Sequence, residues 1–220
     1  MKKVITSVTV CSLALCALAS CGSSAKGGSD IVGKWAMSDL SNADQSVDGG
    51  GIIFTDGGKG SVYLDTSSLL HFESEGLNVG GTVLAKDYIQ EDGKTLTVDV
   101  MGQKMLGLTK LESGEGYDGK YSLDGGILYD SIVQGMEKQG GEGFDKSNLD
   151  ITIDFDGSKS EVVFNDLFTY STKGKKLTVS GFSGFLSGGE GSEATAEFKI
   201  DGDTLELKDS KNTETLTRVK

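Results

Sequence analysis

The chain contains no proline and 33 glycines in its 220 residues, so its turns must be built largely from glycine and aspartate. Glycine accepts a positive φ without a Cβ clash, and Asp-Gly between short apolar runs is typical of a tight β-hairpin. Seven Asp-Gly pairs occur, among them Asp56-Gly57, Asp92-Gly93, Asp156-Gly157 and Asp201-Gly202. Because hairpins join neighbouring segments in opposite directions, the chain is predicted to form antiparallel sheet.

The segments between these turns alternate between apolar and polar residues. In "KTLTVDV", Leu96, Val98 and Val100 share one face, whereas the threonines and Asp99 share the other. Side chains alternate across a strand, so this pattern is typical of a strand with one buried face. We expect an all-β fold of many short strands.

Five short segments recur in the same order in the two halves of the chain. The first is "GKW", which recurs as "GKY", and the last is "LTKLE", which resembles "LTRVK". The paired ranges are 33–35 with 119–121, 59–64 with 159–164, 70–79 with 168–179, 87–98 with 197–207, and 108–112 with 216–220. This order indicates a tandem duplication, with units 31–112 and 117–220. Chance similarity among hairpin-rich segments is the alternative.

Each unit is predicted to hold seven or eight short strands, which form two tandem small antiparallel meander barrels or curled sheets. A G-x-W/Y at the first strand, followed by hairpins ending in "DGDTLEL", resembles the lipocalin-like lipoproteins of Gram-positive gut bacteria. The resemblance implies a lipocalin-like fold and surface location but no chemistry. It also implies that Trp35 and its counterpart Tyr121 are core residues that close a barrel end.

The N-terminus has the features of a bacterial lipoprotein signal peptide. Lys2 and Lys3 precede an apolar stretch that is too short for a typical membrane span. "LASC" then resembles a lipobox, which implies lipid attachment at Cys21 and removal of residues 1–20. Residues 21–30 have no apolar pattern and are predicted to form a flexible tether. The alternative is an ordinary secretory signal ending in "ALA".

Cleavage and lipidation would leave no free thiol, because Cys11 and Cys16 depart with the signal and Cys21 carries the lipid. Disulfides, thiolate metal sites and cysteine nucleophiles are then excluded. Without Lys2 and Lys3, 19 Lys and Arg stand against 33 Asp and Glu, a net charge of −14. This charge disfavours binding to nucleic acid. We expect a membrane partner through the lipid only, on the extracytoplasmic face of the cell membrane.

The second unit carries two insertions. In residues 126–143, Leu128, Ile132 and Met136 fall on one face of a predicted helix of about three turns, ended by Gly140 and Gly141. We interpret this helix as the cap of an open barrel end, in preference to a partner-binding helix.

The second insertion, residues 181–193, places Phe182, Phe185 and Leu186 among five glycines. Exposed apolar area is unfavourable in water, so these side chains either fold back on the core or meet a partner. They are our candidate partner-binding residues, and packing on the core is the alternative.

The motifs of familiar catalytic and metal sites are not found in the sequence. "DFDGSKSE" fails the EF-hand spacing, and His71 is the only histidine, so no histidine cluster can bind zinc. A Ser-His-Asp triad would need His71, which lies in an apolar strand pattern. We therefore expect no enzyme activity, metal or cofactor. The expected function is that of a non-catalytic binding module; a passive spacer lipoprotein and a carboxylate-based glycan hydrolase are the alternatives.

The lipobox gives the first testable prediction. We expect Cys21→Ala to abolish labelling of the protein by a radiolabelled fatty acid and to leave the precursor uncleaved, or release the protein from the membrane. Cys16→Ala is the matched control and should keep the label. Persistent label on the Cys21→Ala protein would contradict lipid attachment at that residue.

Overall fold

The computed structural model of the chain describes residues 30–37, 48–140, 149–181 and 193–220. Cys21, almost all of the predicted tether and the candidate residues Phe182, Phe185 and Leu186 lie outside these residues. The described strands are β1 Gly33–Met37, β2 Gly49–Phe54, β3 Lys59–Asp65, β4 Leu70–Glu73, β5 Gly76–Val79, β6 Thr82–Ala85, β7 Ile89–Glu91, β8 Thr95–Val100, β9 Gln103–Ser113, β10 Gly119–Gly125, β11 Asp150–Asp156, β12 Lys159–Lys173, β13 Lys176–Gly181, β14 Glu193–Asp201, β15 Thr204–Lys208 and β16 Thr213–Arg218. A 3-10 turn covers Lys86–Tyr88, and α1 covers Ile127–Gly140.

The predicted all-β class is confirmed. Thirteen strands form one sheet in the order β13-β14-β15-β16-β1-β2-β3-β12-β11-β10-β9-β8-β7, and β13 also pairs with β12. That extra pairing closes β1–β3 and β12–β16 into an eight-stranded antiparallel barrel. We call β7–β11 together with the first half of β12 the side sheet. A separate three-stranded sheet contains β4, β5 and β6.

The prediction of two barrels in tandem is not confirmed. The closed barrel takes three strands from the first predicted unit and five from the second, because β1 pairs with β16 and β3 pairs with β12. Backbone pairing between segments that are distant in sequence therefore decides how the barrel closes.

Strand β12 joins the barrel to the side sheet. Its first half pairs with β11, and its second half pairs with β13. Between them the register with β3 shifts, and Asp166 adopts a φ of 49°. The Asp166 amide donates to Ser61 Oγ at 3.0 Å, and its carboxylate lies 2.5 Å from Lys59 Nζ. These contacts hold a bulge that redirects the strand from one sheet to the other.

Two hydrophobic cores lie on either side of this bulge. The barrel core includes Trp35, Phe54, Tyr170, Leu177 and Leu205, all of them buried. The second core lies between the side sheet, the three-stranded sheet and α1, and it includes Leu77, Leu96, Tyr121, Ile153 and Met136. Large side chains therefore fill the barrel interior, as expected for eight strands.

The helix prediction is confirmed. Helix α1 begins at Ile127, packs against β9 and β10, and buries Ile132, Val133 and Met136. Leu128, one turn earlier, is partly buried against the same core. The predicted apolar face therefore covers the second core. The interpretation of the helix as the cap of an open barrel end is not confirmed, because α1 packs on β9 and β10 of the side sheet.

Trp35 and Tyr121 are core residues, as predicted, but only Trp35 lies in the barrel core, whereas Tyr121 lies in the second core. Trp35 Nε1 donates to the Ile31 carbonyl at 2.8 Å, and Tyr121 Oη donates to the Tyr117 carbonyl at 2.9 Å. Both side chains are at most 1% exposed. Each ring therefore buries its apolar body and satisfies its polar atom on a carbonyl four residues earlier.

The glycine two residues before each ring is required sterically. Gly33 has a φ of 141°, and a Cβ there would lie 2.5 Å from Arg218 Nη1. Gly119 has a φ of 129°, and a Cβ there would lie 2.3 Å from the Glu112 carbonyl oxygen. Both positions therefore need a positive φ that glycine adopts freely, and Gly119 also allows the backbone of β9 to approach closely, which explains the G-x-W/Y pattern.

The buried rings give the second testable prediction. We expect Tyr121→Phe to lower the free energy of unfolding by about 1 kcal/mol, because one hydrogen bond is lost. Trp35→Ala should cost about 3–5 kcal/mol, because it also leaves a cavity in the barrel core. Urea denaturation measures both, with the exposed Tyr88→Phe as a control that should stay within about 0.5 kcal/mol. A neutral Trp35→Ala would contradict the packing of the barrel core.

Candidate binding groove

The environment of His71 excludes a Ser-His-acid arrangement with its neighbour Ser67. His71 Nδ1 lies 2.5 Å from the Ser67 backbone carbonyl, and its Nε2 lies 3.1 Å from Glu73 Oε1. The Ser67 hydroxyl instead donates to Asp65 Oδ1 at 2.5 Å. The Glu73 pKa lies below its usual value, because Asn78 and then His71 hydrogen-bond to the carboxylate. Both ring nitrogens therefore have partners that hold the β4–β5 hairpin.

No group of three His, Cys, Asp or Glu side chains that could hold a metal ion occurs among the described residues. The sequence patterns inspected for calcium and zinc likewise led to no ligand set.

A groove of about 870 Å³ lies on the wall of the barrel at β13, β14 and β15. The hairpin turn between β12 and β13 borders it, as does the turn that follows β15. Its lining residues are Lys173, Lys175, Lys176, Glu193, Ala194, Thr195, Ala196, Glu197, Lys208, Asp209 and Ser210.

Unequal strand lengths explain the position of the groove. β14 is nine residues long, but β15 pairs only with its last five residues, Glu197–Asp201. The first four residues of β14 pair with β13 on one side, and no other described strand pairs with them on the other. The start of β14 therefore lies beside an opening in the barrel wall.

The groove-lining residues of β14 alternate between buried and exposed positions. Ala194 and Ala196 are buried and belong to the barrel core, whereas Glu193, Thr195 and Glu197 are exposed. The methyl groups of alanine leave room at the wall, and the exposed side chains supply polar groups around it. The groove can therefore hold a polar ligand against a shallow apolar base.

The groove contains more lysines than carboxylates, although the protein as a whole is strongly acidic. Four of its lining residues are lysines and three are carboxylates, whereas the whole chain has a net charge of −12. Lys176 and Lys208 both face Glu197 across the sheet, and Lys173 faces Lys176 at the hairpin. Lysines 173, 175 and 176 therefore form a cluster at one end of the groove, which we call the lysine hairpin.

The groove adjoins the insertion predicted to bind a partner. The insertion leaves β13 at Gly181 and joins β14 at Glu193, which itself lines the groove. Phe182, Phe185 and Leu186 lie between these two positions, outside the described residues. Sequence reasoning identified the insertion but missed the lysine hairpin, whose only signal was "KGKK" at a turn.

Comparison of the chain with family models, with curated proteins and with solved structures returned no match in any of the three. Within the part of the chain that the structure describes, no helix has the length and apolar character needed to cross a membrane. The groove and the sequence are therefore the features that bear on the function of the protein.

Two buried tyrosines, Tyr63 on β3 and Tyr170 on β12, have raised pKa values. The Lys34 ammonium lies 4.2 Å from the ring centre of Tyr63 and forms an ion pair with Glu161. Burial, and then the charges of Glu161 and Asp65, raises the pKa of Tyr63 to about 12. Burial, and then Asp56, also raises the pKa of Tyr170 to about 12.

We expect stability to decrease between pH 10 and pH 12. The folded state favours the neutral phenol, so the contribution of each tyrosine is complete below its unfolded pKa of 10.0 and is lost as the pH rises towards 12. Urea denaturation across this range should show a smaller decrease for Tyr63→Phe/Tyr170→Phe than for the unmodified protein. The exposed Tyr88→Phe is the control, and equal decreases in all three proteins would contradict burial of these phenols.

Proposed function

We propose that the protein is a lipid-anchored, non-catalytic binding module on the extracytoplasmic face of the cell membrane, and that it holds its partner at the groove. The observation that carries the proposal is the position of the groove, which is lined by Glu193, the last residue of the aromatic insertion. "LASC" and the polar residues after it support the anchor. A flexible tether would let the groove reach partners in the cell wall or on other surface proteins.

The filled barrel interior supports binding on the outer wall. The buried rings of Trp35, Phe54 and Tyr170 occupy the space that a larger lipocalin-like barrel would offer to a ligand. Phe54 and Tyr170 pack edge to face, with ring centres 4.8 Å apart. A partner would therefore contact the groove and its rim.

The charges of the groove indicate the chemistry of that partner. Ammonium groups on the lysine hairpin would attract anionic groups, and Glu193 would disfavour them at the other end, whereas Glu197 lies opposite Lys176. A cell-wall polymer or surface protein with anionic groups on one part of its contact surface fits this arrangement. The side chains of Phe182, Phe185 and Leu186 would add apolar contact area.

We also propose that the resemblance to tandem lipocalin-like lipoproteins reflects a true duplication. The equal spacing of Gly33 and Trp35 in the first half and Gly119 and Tyr121 in the second supports it. Both glycines adopt a positive φ, 141° at Gly33 and 129° at Gly119, which L side chains rarely take.

Charge reversal at the lysine hairpin tests the proposed site. The full-length protein is bound to a cell-wall preparation from the producing bacterium, and bound protein is quantified against concentration. We expect Lys173→Glu/Lys175→Glu/Lys176→Glu to weaken binding about tenfold, since surface ion pairs contribute up to about 1 kcal/mol each. Phe182→Ser/Phe185→Ser should also weaken binding.

The matched control reverses the same number of charges on the side sheet and its neighbouring turns. Lys86→Glu/Lys94→Glu/Lys104→Glu changes three exposed lysines outside the groove and should alter binding less than twofold. Equal losses in both triple variants would indicate non-specific attraction. No binding by the unmodified protein would favour the passive spacer.

A further inference from the structure

The barrel and the side sheet each combine strands from both halves of the chain. β1–β3 of residues 30–113 pair with β12 and β16 of residues 114–220. Conversely, β10 of the second half pairs with β9 of the first half. We call β1–β3 the leading strands of the first half, and β10, β11 and the first half of β12 the leading strands of the second half. The strands that follow them in each half, including the second half of β12, are the trailing strands. The leading strands of each half thus lie beside the trailing strands of the other.

The two sets of contacts use corresponding residues. Trp35 pairs with Arg218 in the barrel, and Tyr121 pairs with Lys110 in the side sheet. Ala36 and Thr217 form the next pair in the barrel, as Ser122 and Thr109 do in the side sheet. Corresponding segments, "GKWA" with "LTR" and "GKYS" with "LTK", therefore meet in the same register.

The aromatic contacts repeat in the same way. Phe54 packs on Tyr170 with ring centres 4.8 Å apart, and Phe155 packs on Phe72 at 4.8 Å. The interplanar angles are 75° and 66°, so both pairs are edge to face. In each pair one ring comes from the leading strands of one half and the other ring from the trailing strands of the other half.

The seam between the halves is self-complementary. Tyr63 pairs with Val163, and the two positions correspond in the alignment of 59–64 with 159–164. On either side, Val62 pairs with Phe164 and Leu64 pairs with Val162. A strand that pairs antiparallel with its own counterpart about one central position has the geometry of a two-fold dimer contact.

We infer that each half of the chain carries an interaction surface for the opposite half, and that the partner fitting this surface is a second copy of this chain. The first half of one molecule would pair with the second half of another, and the reverse, to give a strand-exchanged dimer with two complete folds. All strand pairings and both cores would be the same as in the single chain. Only the turn between the halves would change.

The hinge of that turn is its first part, Gly114 to Gly116, because the rest of the turn is held in place. Tyr117 stacks on Phe72 with ring centres 4.7 Å apart, and the Asp118 carboxylate accepts from the Gly157 amide at 3.0 Å. The whole turn runs from Gly114 to Asp118, where the Gly114 amide donates to the Asp118 carbonyl at 2.7 Å and the Asp118 amide donates to the Glu115 carbonyl at 3.0 Å. Glu115 and Gly116 are exposed, and Gly116 has a φ of 62°. Opening it would let β9 continue into β10 across the two folds, because short hinge turns are the usual sites of domain swapping.

Mass action sets the expected amount of dimer. A short connection gives the two halves of one chain an effective concentration on the order of 1 mM. Refolding at about 0.1 mM should therefore give dimer in about a tenth of the chains, and tenfold dilution should lower the dimer-to-monomer ratio about tenfold.

Engineered disulfides test the inference in the full chain. Cys11, Cys16 and Cys21 are replaced by Ser, and Ala36→Cys/Thr217→Cys is added at the paired positions of β1 and β16. The protein is refolded in detergent at several concentrations, oxidised and separated by non-reducing gel electrophoresis. We expect a cross-linked monomer at all concentrations and a cross-linked dimer whose share rises with concentration.

Two control pairs identify the source of the dimer. Glu206→Cys/Thr215→Cys lies within one half, on β15 and β16, and should give internally cross-linked chains only. Ala36→Cys/Thr109→Cys would cross-link only if each half closed on itself, since Thr109 corresponds to Thr217. Efficient cross-linking of this second pair would overturn the inference.

Shortening the hinge provides an independent variant. Removal of Glu115 and Gly116 should prevent the turn from closing and make the Ala36→Cys/Thr217→Cys dimer the major species. A folded, monomeric shortened chain would overturn the inference, as would absence of dimer across the concentration series. If the shortened chain does not fold, the concentration series decides. Cell-wall binding is measured separately, so failure here leaves the proposed groove unaffected.

Discussion

The pairing of β1 with β16 is the contact on which the barrel depends. It joins strands from the two ends of the described chain, and without it both strands would present unpaired backbone edges. Arg218 reinforces the pairing: its guanidinium lies 4.0 Å from the Trp35 ring centre, and its Nη1 donates to the Val32 carbonyl at 3.0 Å. The Val219 amide adds a bond to the Lys34 carbonyl at 2.9 Å. Closure here buries Trp35 and completes the barrel core.

The long strand β12 connects the closed barrel to the side sheet. It is the only described strand that pairs with three others, namely β3, β11 and β13. A buried polar contact fixes its start, where the hydroxyls of Thr66 and Ser160 lie 2.7 Å apart and the Thr66 amide donates to the Ser160 carbonyl at 3.0 Å. Because unpaired buried polar groups are costly, these bonds select one register between the two sheets. The position of β13, and so of the groove, follows from it.

The turns and the helix could be predicted from the sequence, because each depends on residues that are close together in the chain. Asp156-Gly157 forms the turn between β11 and β12, and Asp201-Gly202 forms the turn between β14 and β15. The spacing of Leu128, Ile132 and Met136 located α1. Barrel closure could not be predicted in the same way, because "LTKLE" and "LTRVK" are nearly equivalent partners for a leading strand. The groove was missed because its lysines lie in separate segments that each resemble an ordinary hairpin turn.

The central claim is that the two halves of the chain complete each other's sheets. The most direct measurement is a nuclear Overhauser spectrum of the isotopically labelled protein, read for backbone proton contacts across β1. The account predicts cross-peaks from Trp35 and Ala36 to Thr217 and Arg218, since these residues are paired. Cross-peaks from Trp35 and Ala36 to Thr109 and Lys110 in their place would contradict it, because each half would then close its own barrel.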